Sequence, residues 1–322
     1  MRKTFLVFII VLLVGFYFWY VRGVEIRFWE RSEVSSFWTE RAKLPVALSE
    51  VAAVSLAKAI YLVGGIDGFG RTSGALWRYD EELNRWEELA ALPKPVHHAA
   101  VAAYRGELYV FGGLQGWTAV PTKRTWKYDP TRNSWAELEV MPLARGAAGA
   151  AVVGDYIYLI GGLEFSGPTG ELARFDPKFN QWETLTAMPT ARDHLAVVAS
   201  GSRIVAIGGR KGSPARNVDT VEVYDTVSGS WSAVRSMPRA RGGIAAVNSE
   251  GLLYVFGGEE PTRTFADVDV YRPEHDQWLG AAPMLTGRHG LGAAVLGERI
   301  YTIAGGKRPG FSVSSVNEAF VP

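Results

Sequence analysis

The sequence predicts an all-β fold, six four-stranded sheets closed into a ring, with one transmembrane helix ahead of it. Two observations point to the ring. A glycine doublet after apolar residues stands at Gly64-Gly65, Gly112-Gly113, Gly161-Gly162, Gly208-Gly209 and Gly257-Gly258, with Ala304-Gly305 as a sixth copy, at intervals of 47 to 49 residues. The 322 residues also hold 36 Gly and 11 Trp, too much glycine for helices and many of the large aromatics that strands favour. A third observation points to the helix: residues 5–21 are uncharged and almost wholly apolar.

Taken in chain order, residues 1–22 come first. Arg2 and Lys3 precede the apolar run and Arg22 stops it. As a helix it would span roughly 26 Å, the short end of what a bilayer core needs. It closes on Phe16-Tyr17-Phe18-Trp19-Tyr20, rings suited to a headgroup interface and poorly suited to a signal-peptidase site. The expectation is an uncleaved signal anchor, residues 23–35 as a tether, and a single-pass membrane protein with its main domain outside the cytoplasm, periplasmic or extracellular.

Each copy of the repeat then reads as strands a to d. Strand a is small and apolar, strand b ends at the doublet, and strand c ends at Tyr79, Tyr128, Phe175, Tyr224, Tyr271 or Phe320. Seven residues beyond the first five aromatics stand Trp86, Trp135, Trp182, Trp231 and Trp278, opening strand d. Two residues before each tryptophan is Asn84, Asn133, Asn180, Gly229 or Asp276, types that tolerate the left-handed backbone of a tight hairpin. Asp80, Asp129, Asp176 and Asp225 follow the aromatic, where a carboxylate can accept from turn amides.

The last copy ends at Phe320-Val321-Pro322 without its tryptophan, whereas Trp38 stands seven residues before Pro45, the step from Trp86, Trp135, Trp182 and Trp231 to Pro93, Pro142, Pro189 and Pro238, with Leu285 at the proline position after Trp278. Trp38 is therefore expected to supply strand d of the last sheet, removing the open edges of the ring. Ser36, where internal copies have Asn, Gly or Asp, fits a position with no hairpin.

The pattern GG…YDP…N-x-W…MP-x-x-R, over about residues 36–322, resembles the kelch repeat. That resemblance implies a six-bladed kelch β-propeller whose tryptophans pack between blades.

Composition narrows the function. With 34 Lys+Arg against 33 Asp+Glu, the net charge of +1 argues against a nucleic-acid partner. There is no cysteine, so the cysteine-linked copper cofactor of some kelch oxidases is excluded and no cofactor is expected. No G-x-S-x-G elbow, P-loop or dinucleotide fingerprint occurs either. Repeat length varies only between strands b and c, so the b–c loops, on the same face as the d–a turns, are the natural binding surface.

In the d–a turns, three residues after the proline position, stand Leu48, Val96, Arg145, Arg192, Arg241 and Arg288. Beside them lie His97, His98, His194, His289 and Asp193. Kelch geometry would put these at the mouth of the central channel. There the four guanidiniums either hold a carboxylate or sulfate of an acidic glycan or brace neighbouring blades. The turns and b–c loops sum to a charge of +6, a basic face. Trp117 and Phe165 are candidate stacking residues. The histidines occupy repeat positions that differ by one and would point to opposite sides, so no metal site is expected. The expected function is a membrane-anchored module for a protein partner or acidic glycan. The alternative, suggested by a six-bladed epimerase of N-acetylneuraminate, is a sugar epimerase or mutarotase. It would use Glu50, Asp193, Glu164 or Glu259 as acid or base beside Arg192 or Arg241.

Overall fold

A computed structural model describes residues 37–322. They form six antiparallel four-stranded blades in the order a-b-c-d. Blade 1 is Ala52–Leu56, Ala59–Val63, Leu76–Asp80 and Arg85–Leu89; blade 2 is Ala100–Tyr104, Glu107–Phe111, Thr125–Asp129 and Ser134–Leu138. Blade 3 comprises Gly149–Val153, Tyr156–Ile160, Leu172–Asp176 and Gln181–Leu185, and blade 4 Ala196–Ser200, Arg203–Ile207, Val221–Asp225 and Ser230–Val234. Blade 5 has two longer strands, Gly242–Ser249 and Leu252–Glu260, before Val268–Arg272 and Gln277–Ala281. Blade 6 is Gly292–Leu296, Arg299–Ile303 and Asn317–Phe320, completed by Trp38–Glu40.

The closure is the one the tryptophan spacing predicts. Trp38 pairs with Phe320, Thr39 with Ala319 and Glu40 with Glu318. The Trp38 and Phe320 ring centroids lie 4.9 Å apart. The same cross-strand pair recurs in every blade, from Tyr79–Trp86 at 5.0 Å to Tyr271–Trp278 at 4.9 Å. Such pairs each add about 0.5–1.5 kcal/mol beyond area burial.

The strand sequences follow from their radial position. Strand b of blade 1 is buried along its whole length, matching an unbroken apolar run, while the outermost strands alternate between exposed and half-buried residues. Inner strands are small because they converge: a Cβ on Gly149 would come within 2.2 Å of Val197 Cγ2 of the next blade. The doublets answer a similar constraint between blades. Gly112 has φ +57°, and a Cβ there would sit 2.2 Å from the Arg145 carbonyl oxygen.

The hairpin residues behave as their types predict. Asn84, Asn133, Asn180, Asp276 and Gly229 all have φ between +46° and +69°. Asp80, Asp129, Asp176 and Asp225 accept backbone N–H groups of their turns, for example Thr131 N–H to Asp129 at 2.8 Å.

The expectation of a single-pass membrane protein is corrected. Among the described residues no helix is long and apolar enough to cross a membrane. There, apolar residues are spent in short strands, and the one helical element among the described residues is a three-residue 3-10 turn, Pro214–Arg216, against the ~20 helical residues a crossing takes. The segments expected as anchor, 1–22, and tether, 23–35, lie outside the described residues, as does Ser36.

Candidate functional site

The d–a turns and b–c loops share one face, joined by short bridges such as His97–Leu114, Asp193–Arg210 and His289–Gly306. Within each turn three successive positions do different work.

The third residue after the proline position faces the blade interior. Arg145, Arg192, Arg241 and Arg288 are each 1 % exposed or less. Arg288 donates to the carbonyls of Thr302 and Ala304, to Thr302 Oγ1 and to Glu318 at 2.8 Å, and Glu318 is itself buried. Arg192 pairs with Glu222, Arg241 with Asp269, and Arg145 with Glu171 at 3.4 Å. Burial pulls all four guanidiniums below their ordinary pKa, Arg145 to about 10, against the pull of these carboxylates. Their forks are thus spent on blade carbonyls and on carboxylates of strand c or, for Glu171, just ahead of it, not on a concavity. Removing them from the loop-face sum of +6 leaves +2, so the basic face all but disappears.

The fifth residue forms a ring around the axis. It is Glu50, His98, Ala147, His194, Gly243 and Gly290 in the six blades. Each donates its backbone N–H to the carbonyl of its counterpart in the preceding blade. The distances are 2.7 Å for Glu50 to Gly290 and 2.7–3.0 Å for the other five, closing a circle of six hydrogen bonds. All six have φ between +52° and +67°. Four are non-glycine residues in the left-handed region, a cost the closed circle sustains. Around this ring lies a cavity of about 90 Å³.

Three titratable side chains, Glu50, His98 and His194, line it. His98 Nε2 is 3.0 Å from Glu50 Oε2, and the His98 and His194 rings meet edge to face with centroids 4.7 Å apart. Gly290 keeps room for Glu50, since a Cβ there would lie 2.5 Å from its carboxylate.

The fourth residue backs the ring. Asp193 accepts from His194 Nδ1–H and from Arg210 Nε–H at 3.3 Å, and Arg210 also pairs with Glu259 at 2.9 Å. Arg210 Nη2 lies 2.6 Å from His194 Nε2. His289 stands 3.3 Å from Glu50 and 3.7 Å from Glu259. His97 contacts His98 through their Nδ1 atoms.

Burial alone would push the Glu50 carboxyl up, but His98 and His289 outweigh it and hold it well below the ordinary range. Burial also lowers His194 to about 4, helped by Arg210, and His97 to about 4, helped by His98. For His289 burial is overcome by Glu50 and Glu259, which raise its pKa.

Of the residues that the turn pattern points to, the structure therefore gathers His97, His98, His194, His289 and Asp193 at the axis, with Glu50 and Glu259. It sends the four arginines into the blade walls. Arg210, beside Asp193 through the strand bridge, carries no mark in the sequence pattern. The premise that the histidines lie at mismatched positions holds for His97 and His289 against His98 and His194; the latter two share the fifth position with Glu50. Glu164, in a b–c loop, is absent from the axial cluster.

A second cleft, of about 590 Å³, lies between the b–c loops of blades 1 and 2, lined by Phe69, Gly70, Arg71, Thr72, Lys94, Pro95, Gln115, Gly116 and Trp117. Phe69 and Trp117 are each 82 % exposed, and Phe311 is 57 % exposed. Trp117 and Phe311 both approach Gly70, where a Cβ would be 2.5 Å from one ring and 3.7 Å from the other. Arg71 lies over the Phe69 ring and pairs with Asp67 at 2.7 Å. Lys94 has no carboxylate partner among the described residues. Phe165 is exposed but does not line this cleft.

A family model described as Attractin/LZTR1 beta-propeller matches residues 60–316. No curated protein matches the sequence. Among solved structures, one titled "Structure of YjhT" is similar with a TM-score of 0.75 at 19 % identity, over 86 % of this chain and 95 % of that one. At that identity the likeness speaks for the fold.

Proposed function

Since the chain belongs to the Attractin/LZTR1 β-propeller family, we propose that it is a recognition module that holds a glycan on the aromatic cleft of blades 1 and 2. The observation that carries this is the exposure of Phe69, Trp117 and Phe311 together, against a glycine, on a rigid scaffold. Apolar rings left in water as a group mark a contact surface. Flat ring faces stack on sugar C–H groups, while Thr72 and Gln115 at the rim offer hydrogen bonds to hydroxyls. Lys94 supplies a cation for a sugar carboxylate or sulfate, so acidic glycans are the favoured class.

The test is retention on a glycan array, with Trp117→Ala and Phe69→Ala beside the wild type. Retention of acidic glycans that falls about tenfold in both variants, at unchanged melting temperature, supports the reading. Absence of retention, or retention indifferent to both rings, overturns it.

A second reading has its own observation. An ionised Glu50 beside His98 is a base next to a proton carrier, as an epimerase or mutarotase requires. It calls for a changing anomeric NMR spectrum on addition of an acidic sugar, lost in Glu50→Gln.

A further inference from the structure

A carboxylate and two imidazoles converge at the axis. His97 Nε2 contacts the Gly116 carbonyl oxygen at 3.4 Å, so that nitrogen carries a proton. A neutral His97 then offers its Nδ1 as an acceptor to His98 Nδ1–H, which turns His98 Nε2 toward the axis. That nitrogen lies 3.0 Å from Glu50 Oε2, to which it can donate a proton when His98 is charged. A cation that displaces this proton would be held by the same two atoms.

His194 is prepared in the same way. Asp193, 1 % exposed, takes its Nδ1–H and leaves Nε2 free of a proton. Metal-ligating histidines are oriented by this arrangement, with a carboxylate behind the ring and the lone pair in front. One ligand atom from each of Glu50, His98 and His194 lies within 4.8 Å of the other two. The 3.0 Å between Glu50 and His98 is the separation of two adjacent ligands on one ion at about 2.1 Å from each.

We propose that Glu50, His98 and His194 form a binding site for a divalent transition-metal ion at the propeller axis, zinc or its congeners. Two imidazoles and one carboxylate suit such an ion and leave coordination positions open toward the cavity. The circle of backbone hydrogen bonds fixes all three Cα positions before the ion arrives, so little ordering is left to do. Three carboxylates (Glu50, Asp193 and Glu259) surround the site, against one permanent cation, Arg210. Arg210 Nη2 competes for His194 Nε2. On binding, Arg210 keeps its Glu259 and Asp193 contacts and gives up the histidine. The site is separate from the aromatic cleft, so it stands or falls independently of the glycan reading.

The experiment titrates the chelator-treated full chain with Co²⁺, followed by visible absorption and calorimetry, and with Zn²⁺ by competition. One Co²⁺ per chain with ligand-field absorption is expected, displaced by Zn²⁺. Glu50→Gln, His98→Ala and His194→Ala should each weaken affinity about tenfold or more. Ala147→Ser, on the same ring without a ligand, should leave it unchanged. Because His98→Ala could loosen the ring, the melting temperature is read with and without Co²⁺. The wild type should rise and a folded His98→Ala should not. Binding without stoichiometry, or binding equal in wild type and in folded His98→Ala and His194→Ala, overturns the proposal.

Discussion

Asn84 and Trp86 grip the same residue of the neighbouring blade: Asn84 Oδ1 accepts the Ala42 N–H at 2.9 Å, and Trp86 Nε1–H donates to the Ala42 carbonyl at 2.8 Å. The clamp recurs with Asn133 and Trp135 on Ala90, Asn180 and Trp182 on Glu139, and Asp276 and Trp278 on Arg235. In blades 1, 2 and 5 the strand c tyrosine donates to the same oxygen, Tyr79 to Asn84 at 2.6 Å. The left-handed residue of the hairpin is thus also the latch between blades. Asn84→Ala should lose about 1–3 kcal/mol by leaving Ala42 N–H and the Tyr79 hydroxyl short of a partner. Trp86→Phe should lose about 1–2 kcal/mol through one donor. Urea unfolding of both variants checks the order.

Blade 4 tests the latch by addition. Trp231 donates to the Thr186 carbonyl at 2.8 Å, but Gly229 brings no side chain to answer Thr186. Only the Tyr224 hydroxyl, at 3.7 Å, would lie near a Cβ at Gly229. Gly229→Asn should therefore fit, restore the clamp and raise stability by about 0.5–1.5 kcal/mol, against a small cost for Asn at φ +69°. A loss of stability in calorimetry would show that the latch is incidental.

Acid should act on blade 5 and spare its relatives. Asp276 is held below the ordinary carboxylate range by the Arg235 N–H and the Tyr271 hydroxyl. A depressed folded pKa contributes stability above the unfolded value of about 3.9 and loses it as pH falls through the folded one. Asp276→Asn keeps the acceptor without the proton equilibrium. The wild type should melt at or above the variant at pH 7, and that difference should vanish or reverse below about pH 4. Parallel melting curves across this window would contradict the assignment.

Trp38 was legible because the seven-residue step from tryptophan to proline is rigid; a strand can be placed by spacing alone. The turn arginines were half legible: the turn pattern left bracing and ligand binding both open, because a guanidinium beside a histidine also reads as a rim. Their partners were nevertheless written in the repeat. Two residues before the strand c aromatic stand Glu222, Asp269 and Glu318 in the blades with Arg192, Arg241 and Arg288. The blades with Leu48 and Val96 have Trp77 and Trp126 there, packed in the same clusters as those residues. Blade 3, with Ala173 at that position, draws Glu171 instead. The exchange of ion pair for apolar pair is visible between copies once columns are aligned. The axial ring was half visible: its fifth-position column reads Glu, His, Ala, His, Gly, Gly, but the backbone circle that turns those side chains inward leaves no mark on residue type. Arg210 was hidden because only a strand bridge sets it against Asp193.

A division of labour runs across the loop face, with turn arginines holding blades and loop aromatics proposed to hold the ligand. Its most direct measurement pairs melting temperature with glycan retention per folded molecule in Arg288→Ala and Trp117→Ala. Arg288→Ala strands a buried Glu318 and should lose about 3–5 kcal/mol while its folded fraction binds as before. Trp117→Ala should do the reverse, melting with the wild type and losing retention. An Arg288→Ala protein that stays as stable as the wild type and no longer retains glycan would contradict the account.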